Sequence, residues 1–178
     1  MLGSIHPEVV LFAAGAAALY ARALRHIPAT RRQAASFVAA LVAVLVALNG
    51  PLHDLSDWYL FSAHMVQHLV LTLGVPPLLP AGLPPAMADA LLRPLLARRI
   101  PAAVARTLTR PLPAFALYAI ALIGWHFPAP YNAALEMHGW HIVEHVVLMV
   151  TATVGWWRFA KCWRPIPTWL KLGSSAVG

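Results

Sequence analysis

The sequence is poor in cysteine and in charge, and each shortage excludes a class of protein. Its one cysteine, Cys162, cannot form an intrachain disulfide or a CxxC metal or redox motif. Only 11% of the 178 residues are charged, whereas 60% are hydrophobic. Water-soluble globular domains carry about 25% charged residues, so we predict an integral membrane protein instead.

Acidic residues are also scarce, with six Asp and Glu against thirteen Lys and Arg, which gives a net charge of +7. A basic balance can indicate nucleic-acid binding. Here the basic residues lie in short segments between apolar runs, which is a signal of membrane topology, and we predict no nucleic-acid partner. The N-terminal segment lacks the basic region of a signal peptide, so its apolar run is predicted to remain as a helix.

Five apolar runs approach or exceed the roughly 18 residues that a bilayer-spanning helix needs. They are predicted at about residues 7–24, 33–49, 58–80, 113–127 and 139–160. Proline and arginine interrupt residues 81–111, where we predict an amphipathic helix over 87–99 on the cytoplasmic membrane surface. The sequence therefore predicts an all-α, polytopic bundle that forms a single transmembrane domain over residues 1–178.

The distribution of charge predicts how this bundle is oriented in the lipid bilayer. With five spans, all thirteen Lys and Arg fall on one side, which the positive-inside rule makes the cytoplasm. Five of the six acidic residues fall on the opposite side: Glu8, Asp54, Asp57, Glu136 and Glu144. The N-terminus is therefore predicted outside and the C-terminus in the cytoplasm.

Histidines occur at helical spacing in two of the apolar runs. His64 and His68 are four residues apart in the third predicted span, and His141 and His145 are four apart in the fifth. Residues at this spacing share one helix face. At about 1.5 Å per residue, His64 and His145 lie at similar depths, roughly 6–10 Å inside the outer surface. Ionisable side chains at membrane depth are costly, so the pattern predicts a buried polar site.

Neutral imidazole is a common ligand of copper, zinc and iron, so the paired histidines predict a metal site. A structural alternative is that the histidines only form hydrogen bonds across helices. Two facing pairs at matching depth favour the metal site. Its predicted ligands are His64, His68, His126, His141, His145 and Glu144, with Met65 and Met137 as auxiliary groups. Of the four remaining histidines, His6, His26 and His53 are predicted to lie on the surface and His138 in the outer loop.

Three segments, SAHMVQHLVLTLGVPPLLPAGLP, GWHFPAPYNAAL and HIVEHVVLMVTATVGWW, resemble the CtaG family of membrane-embedded assembly factors for caa3-type cytochrome c oxidase. They occur in order between about residues 57 and 157. The matching residues are His64, Met65, His68, Pro77, Gly82, Trp125, His126, Pro128, His141, Glu144, His145 and Trp157. Family members usually continue with further transmembrane helices, whereas this sequence stops at Gly178, so it is expected to be a short or truncated form.

The resemblance implies a non-enzymatic, multi-pass protein of the bacterial plasma membrane that helps to mature the oxidase. Copper, handled on the outer side, is the implied cofactor, and cytochrome c oxidase subunits are the implied partners. One alternative is a membrane di-metal oxidase or hydroxylase of the di-iron type. Its histidine boxes face the cytoplasm and supply about eight ligands, whereas the histidines here are predicted to face outward. A second alternative is a b-type haem protein with one axial histidine on each of two helices.

Overall fold

The computed structural model describes residues 4–58, 60–99, 104, 107–108 and 110–161, and all regular structure in these ranges is helical. The elements are α1 (Pro7–Leu24), α2 (Arg31–Leu48), α3 (Pro51–Trp58), α4 (Phe61–Leu69), a π-helical turn (Val70–Gly74), α5 (Val75–Gly82), α6 (Pro85–Arg99), α7 (Pro111–Trp125), α8 (Pro128–Glu136) and α9 (His138–Lys161). The predicted all-α class is confirmed for this part of the chain. Cys162 lies outside the described residues.

Three helical segments in the described ranges are long and apolar enough to cross a membrane: α1, α2 and the continuous stretch Phe61–Gly82. A fourth is obtained if α7 and α8, which are bent by 69° relative to each other, count as one broken span. The 24-residue helix α9 is long enough, but His141, Glu144 and His145 lower its mean hydropathy. The structure therefore has three to four candidate spans, and the five-span topology with its orientation stays a prediction.

Two short helices, α3 and α8, lie between the predicted spans, where the sequence predicts no helix. Helix α3 covers the polar segment after Gly50, a glycine whose φ of +71° lies in the left-handed region that glycine adopts without strain. Both α3 and α8 begin with a proline, Pro51 and Pro128, at the first helical position, where its missing N–H costs nothing. Helices of eight or nine residues carry too little periodicity to be recognised from apolar spacing alone.

Helix α4 buries its polar face and exposes its apolar face. His64, Gln67 and His68 are buried, whereas Val66 and Leu69 are about half exposed. A helix of a soluble protein shows the opposite arrangement. An apolar exterior around a polar interior is the arrangement expected of a bundle that faces lipid and encloses a functional site.

The stretch from α4 to α5 is the centre of the bundle, because α2 and α9 both pack against it. Small and β-branched residues of α2, Ala40, Val44 and Ala47, meet Leu71 and Val75 in a buried apolar cluster. Small residues let helix backbones approach closely in a membrane. This packing holds α4 and α9 side by side, so the histidine pairs that they carry are brought together.

The π-helical turn between α4 and α5 is explained by the prolines that follow it. Pro76 and Pro77 lack an N–H, so the carbonyl of Thr72 can receive neither an i+4 nor an i+5 backbone hydrogen bond. Trp156 of α9 donates its indole N–H to this carbonyl at 3.2 Å. Trp156 therefore supplies the hydrogen-bond donor that the prolines removed.

Close helix contact depends on Gly82 rather than on Gly15. A Cβ atom placed on Gly82 would lie 2.7 Å from the backbone nitrogen of Phe37 in α2, so only glycine fits. Nearby, the Tyr20 hydroxyl donates to the Gly82 carbonyl at 2.9 Å. At Gly15, by contrast, nothing described lies within 4 Å of a Cβ placed there.

Candidate metal centre

Three histidines from two helices converge in the interior of the bundle. His64 and His68 are buried on α4, and His126 follows the last residue of α7. One ring nitrogen from each lies within 4.8 Å of the others. The Nε2 atoms of His64 and His68 are 2.6 Å apart. The structure thus places His126 beside the α4 pair, and metal binding by these residues stays a prediction.

The orientation of His126 is set by the end of its own helix. Its Nδ1–H donates to the carbonyl of Leu122 at 2.7 Å. In a neutral imidazole this leaves the lone pair on Nε2. That atom is buried and has no hydrogen-bond partner among the described residues. His126 thus presents a nitrogen lone pair that a metal ion could bind. The hydrogen bond from Nδ1 fixes the ring, as is usual for metal-binding histidines.

A chain of hydrogen bonds orients His64 in the same way. The Gln67 amide donates to the Ala47 carbonyl at 2.8 Å and to His53 Nδ1 at 2.9 Å. Its Oε1 accepts the only hydroxyl proton of Ser56, at 2.7 Å. Since Ser56 has no further proton to give, its 3.3 Å contact with His64 Nδ1 makes that nitrogen the donor. The lone pair of His64 is therefore on Nε2, which points to His68.

Two residues of this hydrogen-bond network, His53 and Ser56, were not predicted from the sequence to support the site. His53 is buried and hydrogen-bonded to Gln67, so the prediction that it lies on the surface is wrong. Ser56 belongs to α3, which lies between two of the predicted spans. The available signal was the spacing of His53 and Ser56, three residues apart, which places both on one face once the segment is helical.

The α9 pair contacts the α4 pair but lies outside the compact three-histidine group. The rings of His68 and His145 stack with centroids 5.3 Å apart, and those of His64 and His141 are 6.2 Å apart. His145 Nδ1–H donates to the His141 carbonyl at 2.9 Å, so its Nε2 carries the lone pair. The two predicted pairs are thus adjacent, with the α9 histidines in a second layer.

Glu144 is the least compensated group in the described part of the site. It is completely buried, and neither carboxylate oxygen accepts a hydrogen bond from a described residue. Oε1 lies 3.4 Å from Nε2 of His68. A buried carboxylate without partners is costly. A cation among the histidines would compensate the negative charge.

These donors fit a transition-metal ion. Imidazole nitrogens suit copper and zinc, and the carboxylate balances charge. Met65 borders a surface pocket beside His126, together with Leu122, Ile123 and Phe127, so this predicted auxiliary thioether is close to the group. Met137 is about half exposed.

Comparison with models of known protein families gives a match. A family model described as cytochrome c oxidase caa3 assembly factor (Caa3_CtaG) matches residues 10–177. Searches of curated proteins and of solved structures find no match. The matched range includes every residue of the candidate metal centre and nearly the whole chain.

Proposed function

The chain belongs to the cytochrome c oxidase caa3 assembly factor family, and we propose that it assists oxidase assembly by binding copper at the buried histidine centre and passing it on. Family membership supports the role in assembly and agrees with the resemblance seen in the sequence. Copper binding and transfer are the added proposal.

The observation that carries this proposal is the convergence of His64, His68 and His126 beside Glu144. One ring nitrogen from each of the three imidazoles lies within 4.8 Å of the other two, and the carboxylate next to them accepts no hydrogen bond from a described residue. Burying ionisable groups in a membrane costs free energy, so a buried cluster of them indicates a functional site. A bound cation would satisfy the free nitrogen of His126 and the carboxylate together.

The donor set suits transfer better than permanent storage. Imidazole and thioether ligands bind copper without a thiolate, and the single cysteine of the chain cannot form a thiolate pair. This agrees with a non-enzymatic carrier. The di-metal oxidase alternative needs about eight ligands, whereas the compact group offers three, and the family match does not favour it or the haem protein.

The location of the protein and of its histidine centre is part of the same proposal. We propose five spans in the bacterial plasma membrane, with the N-terminus and the histidine centre toward the outside. Copper would then be received and delivered on the outer side, to cytochrome c oxidase subunits. The apolar exterior of α4 and the three to four candidate spans support a membrane location.

Metal analysis of the detergent-purified protein after loading with Cu(I) tests the proposal. We expect about one tightly held copper in the parent and none in His68→Ala or His126→Ala. The matched control is His26→Ala, because His26 is exposed in the turn after α1. Two irons would instead support the oxidase, and a Soret absorption band the haem protein. Equal copper in the parent and in both site variants would refute the proposed centre.

A complementation assay tests the role in assembly separately. Cells that produce His68→Ala in place of the parent should show lower oxidase activity, while the amount of variant protein in the membrane stays unchanged. Full oxidase activity with both His68→Ala and His126→Ala would show that assembly does not depend on this centre.

A further inference from the structure

A second group of potential ligands lies at the start of α1 and α9. His6, Glu8 and His138 each place one ligand atom within 4.8 Å of the others. Oε1 of Glu8 lies 3.2 Å from His6 Nδ1 and 3.0 Å from His138 Nε2. All three side chains are partly exposed, at 20%, 41% and 57%. They are accessible to a solute, unlike the buried centre.

The residues of this group are positioned by several helices. The backbone N–H of His6 donates to Oδ1 of Asn49, just after α2, at 2.8 Å. Glu8 lies in the first turn of α1, and His138 is the first residue of α9. Two imidazoles and a carboxylate form a set that binds divalent transition metals in many proteins.

The outer group is connected to the buried centre by further imidazoles. The ring centroids of His6 and His53 are 4.2 Å apart, and those of His53 and His141 are 5.6 Å apart. His141 is in turn 4.5 Å from His145, measured between centroids. A cavity of about 210 Å³ is lined by these four histidines together with Glu8 and His138.

We propose that His6, Glu8 and His138 form an outer binding site for a divalent transition-metal ion such as Cu²⁺ or Zn²⁺, in the wall of the cavity that His141 and His145 of α9 also line. The site binds its ion independently of the buried centre. Only the onward movement of the ion, past His53 and His141, rests on the proposed function. The alternative is that Glu8 serves only as a hydrogen-bonded clamp between α1 and α9.

Titration with Zn²⁺ distinguishes the metal site from the clamp. It uses the full chain, purified in detergent without a histidine tag. We expect two equivalents bound by the parent and loss of one in Glu8→Gln and in His138→Asn. Both variants keep hydrogen-bonding groups, so a clamp would survive while a metal site would not. His138→Asp should restore the lost equivalent, because it returns an anionic oxygen ligand. Glu136→Gln, on an exposed residue of α8, is the control.

The same titration series tests the buried centre, so a failure of the outer site can be distinguished from a failure of the buried centre. His68→Ala should lose one equivalent and keep the one that depends on Glu8 and His138. If the buried centre binds no metal, the parent holds one equivalent, which His138→Asn loses and His68→Ala keeps. The outer site is refuted if Glu8→Gln and His138→Asn, with parental helical content by circular dichroism, bind as much Zn²⁺ as the parent with unchanged affinity.

Discussion

The Nε2 atoms of His64 and His68 face each other at 2.6 Å in the buried interior of the bundle, one helical turn apart. Two nitrogens this close cannot both carry a proton, so one accepts from the other or both direct lone pairs toward a shared cation. Since Ser56 holds the proton of His64 on Nδ1, the lone pair of His64 faces His68.

Ser56→Ala removes the group that fixes the tautomer of His64. The metal ligands remain, but the ring loses its support, so copper affinity should fall by about 10–100-fold, as is typical when a group behind a metal ligand is removed. Competition with a copper chelator measures the change. The control is Ser36→Ala, which removes a hydroxyl bonded to the Leu78 carbonyl at 3.0 Å, away from the histidines. Equal affinities of the two variants would contradict the role of Ser56.

Glu144→Gln should change metal binding and metal-free stability in opposite directions. The amide keeps the shape of the side chain but removes a buried, uncompensated charge, so the metal-free protein should unfold at a higher temperature. Copper affinity should drop, because the charge that balances the ion is lost. Thermal unfolding with and without copper measures both effects. A metal-free variant less stable than the parent would show that the carboxylate is already compensated within the protein.

Gly82→Ala should weaken the contact between α2 and α5. The added methyl would overlap the backbone of Phe37, so either helix must shift, at a cost of about 1–3 kcal/mol in the free energy of unfolding. Gly15→Ala is the matched control, since its methyl meets open space. Unfolding temperatures in one detergent compare the two. Equal temperatures would mean that α5 does not pack against Phe37 this closely.

Trp156→Phe removes the donor to the Thr72 carbonyl while keeping an aromatic ring. The carbonyl has no backbone donor because of Pro76 and Pro77, so the free energy of unfolding should fall by about 1–3 kcal/mol. The neighbouring change Trp157→Phe serves as the comparison, because the described part of the chain shows no such bond for Trp157. A larger loss of stability from Trp157→Phe than from Trp156→Phe would run against this assignment.

Cysteine labelling tests the predicted orientation. In a Cys162→Ser background, Asn132→Cys in α8 should react with a membrane-impermeant maleimide added to intact spheroplasts. His26→Cys should react only after the membrane is opened, because it lies among the basic residues that are predicted to be cytoplasmic. Both positions are exposed, so access to the reagent depends on the side of the membrane. The reverse pattern would invert the topology and place the histidine centre on the cytoplasmic side.

Much of the local structure was predictable from the sequence, because hydropathy and periodicity are properties of contiguous residues. The apolar runs gave α1, α2 and the stretch that contains α4 and α5, and the four-residue spacing placed His64 and His68 on one buried face. The scarcity of charge predicted a membrane protein, with which the three to four candidate spans are compatible. The helices α3 and α8 were missed, since their proline starts are weak signals and their lengths give little periodicity.

What only the tertiary structure decided is which side chains meet. The bend of 69° between α7 and α8 and the packing of α9 are long-range arrangements that no local pattern encodes. They bring His126 to the α4 pair, leave the α9 histidines in a second layer, and bury His53 through Gln67. The sequence by itself determined that costly polar groups lie inside an apolar chain. The free energy of packing between distant helices decided which of them share a site, because contacts between residues far apart in the chain form only when the bundle assembles.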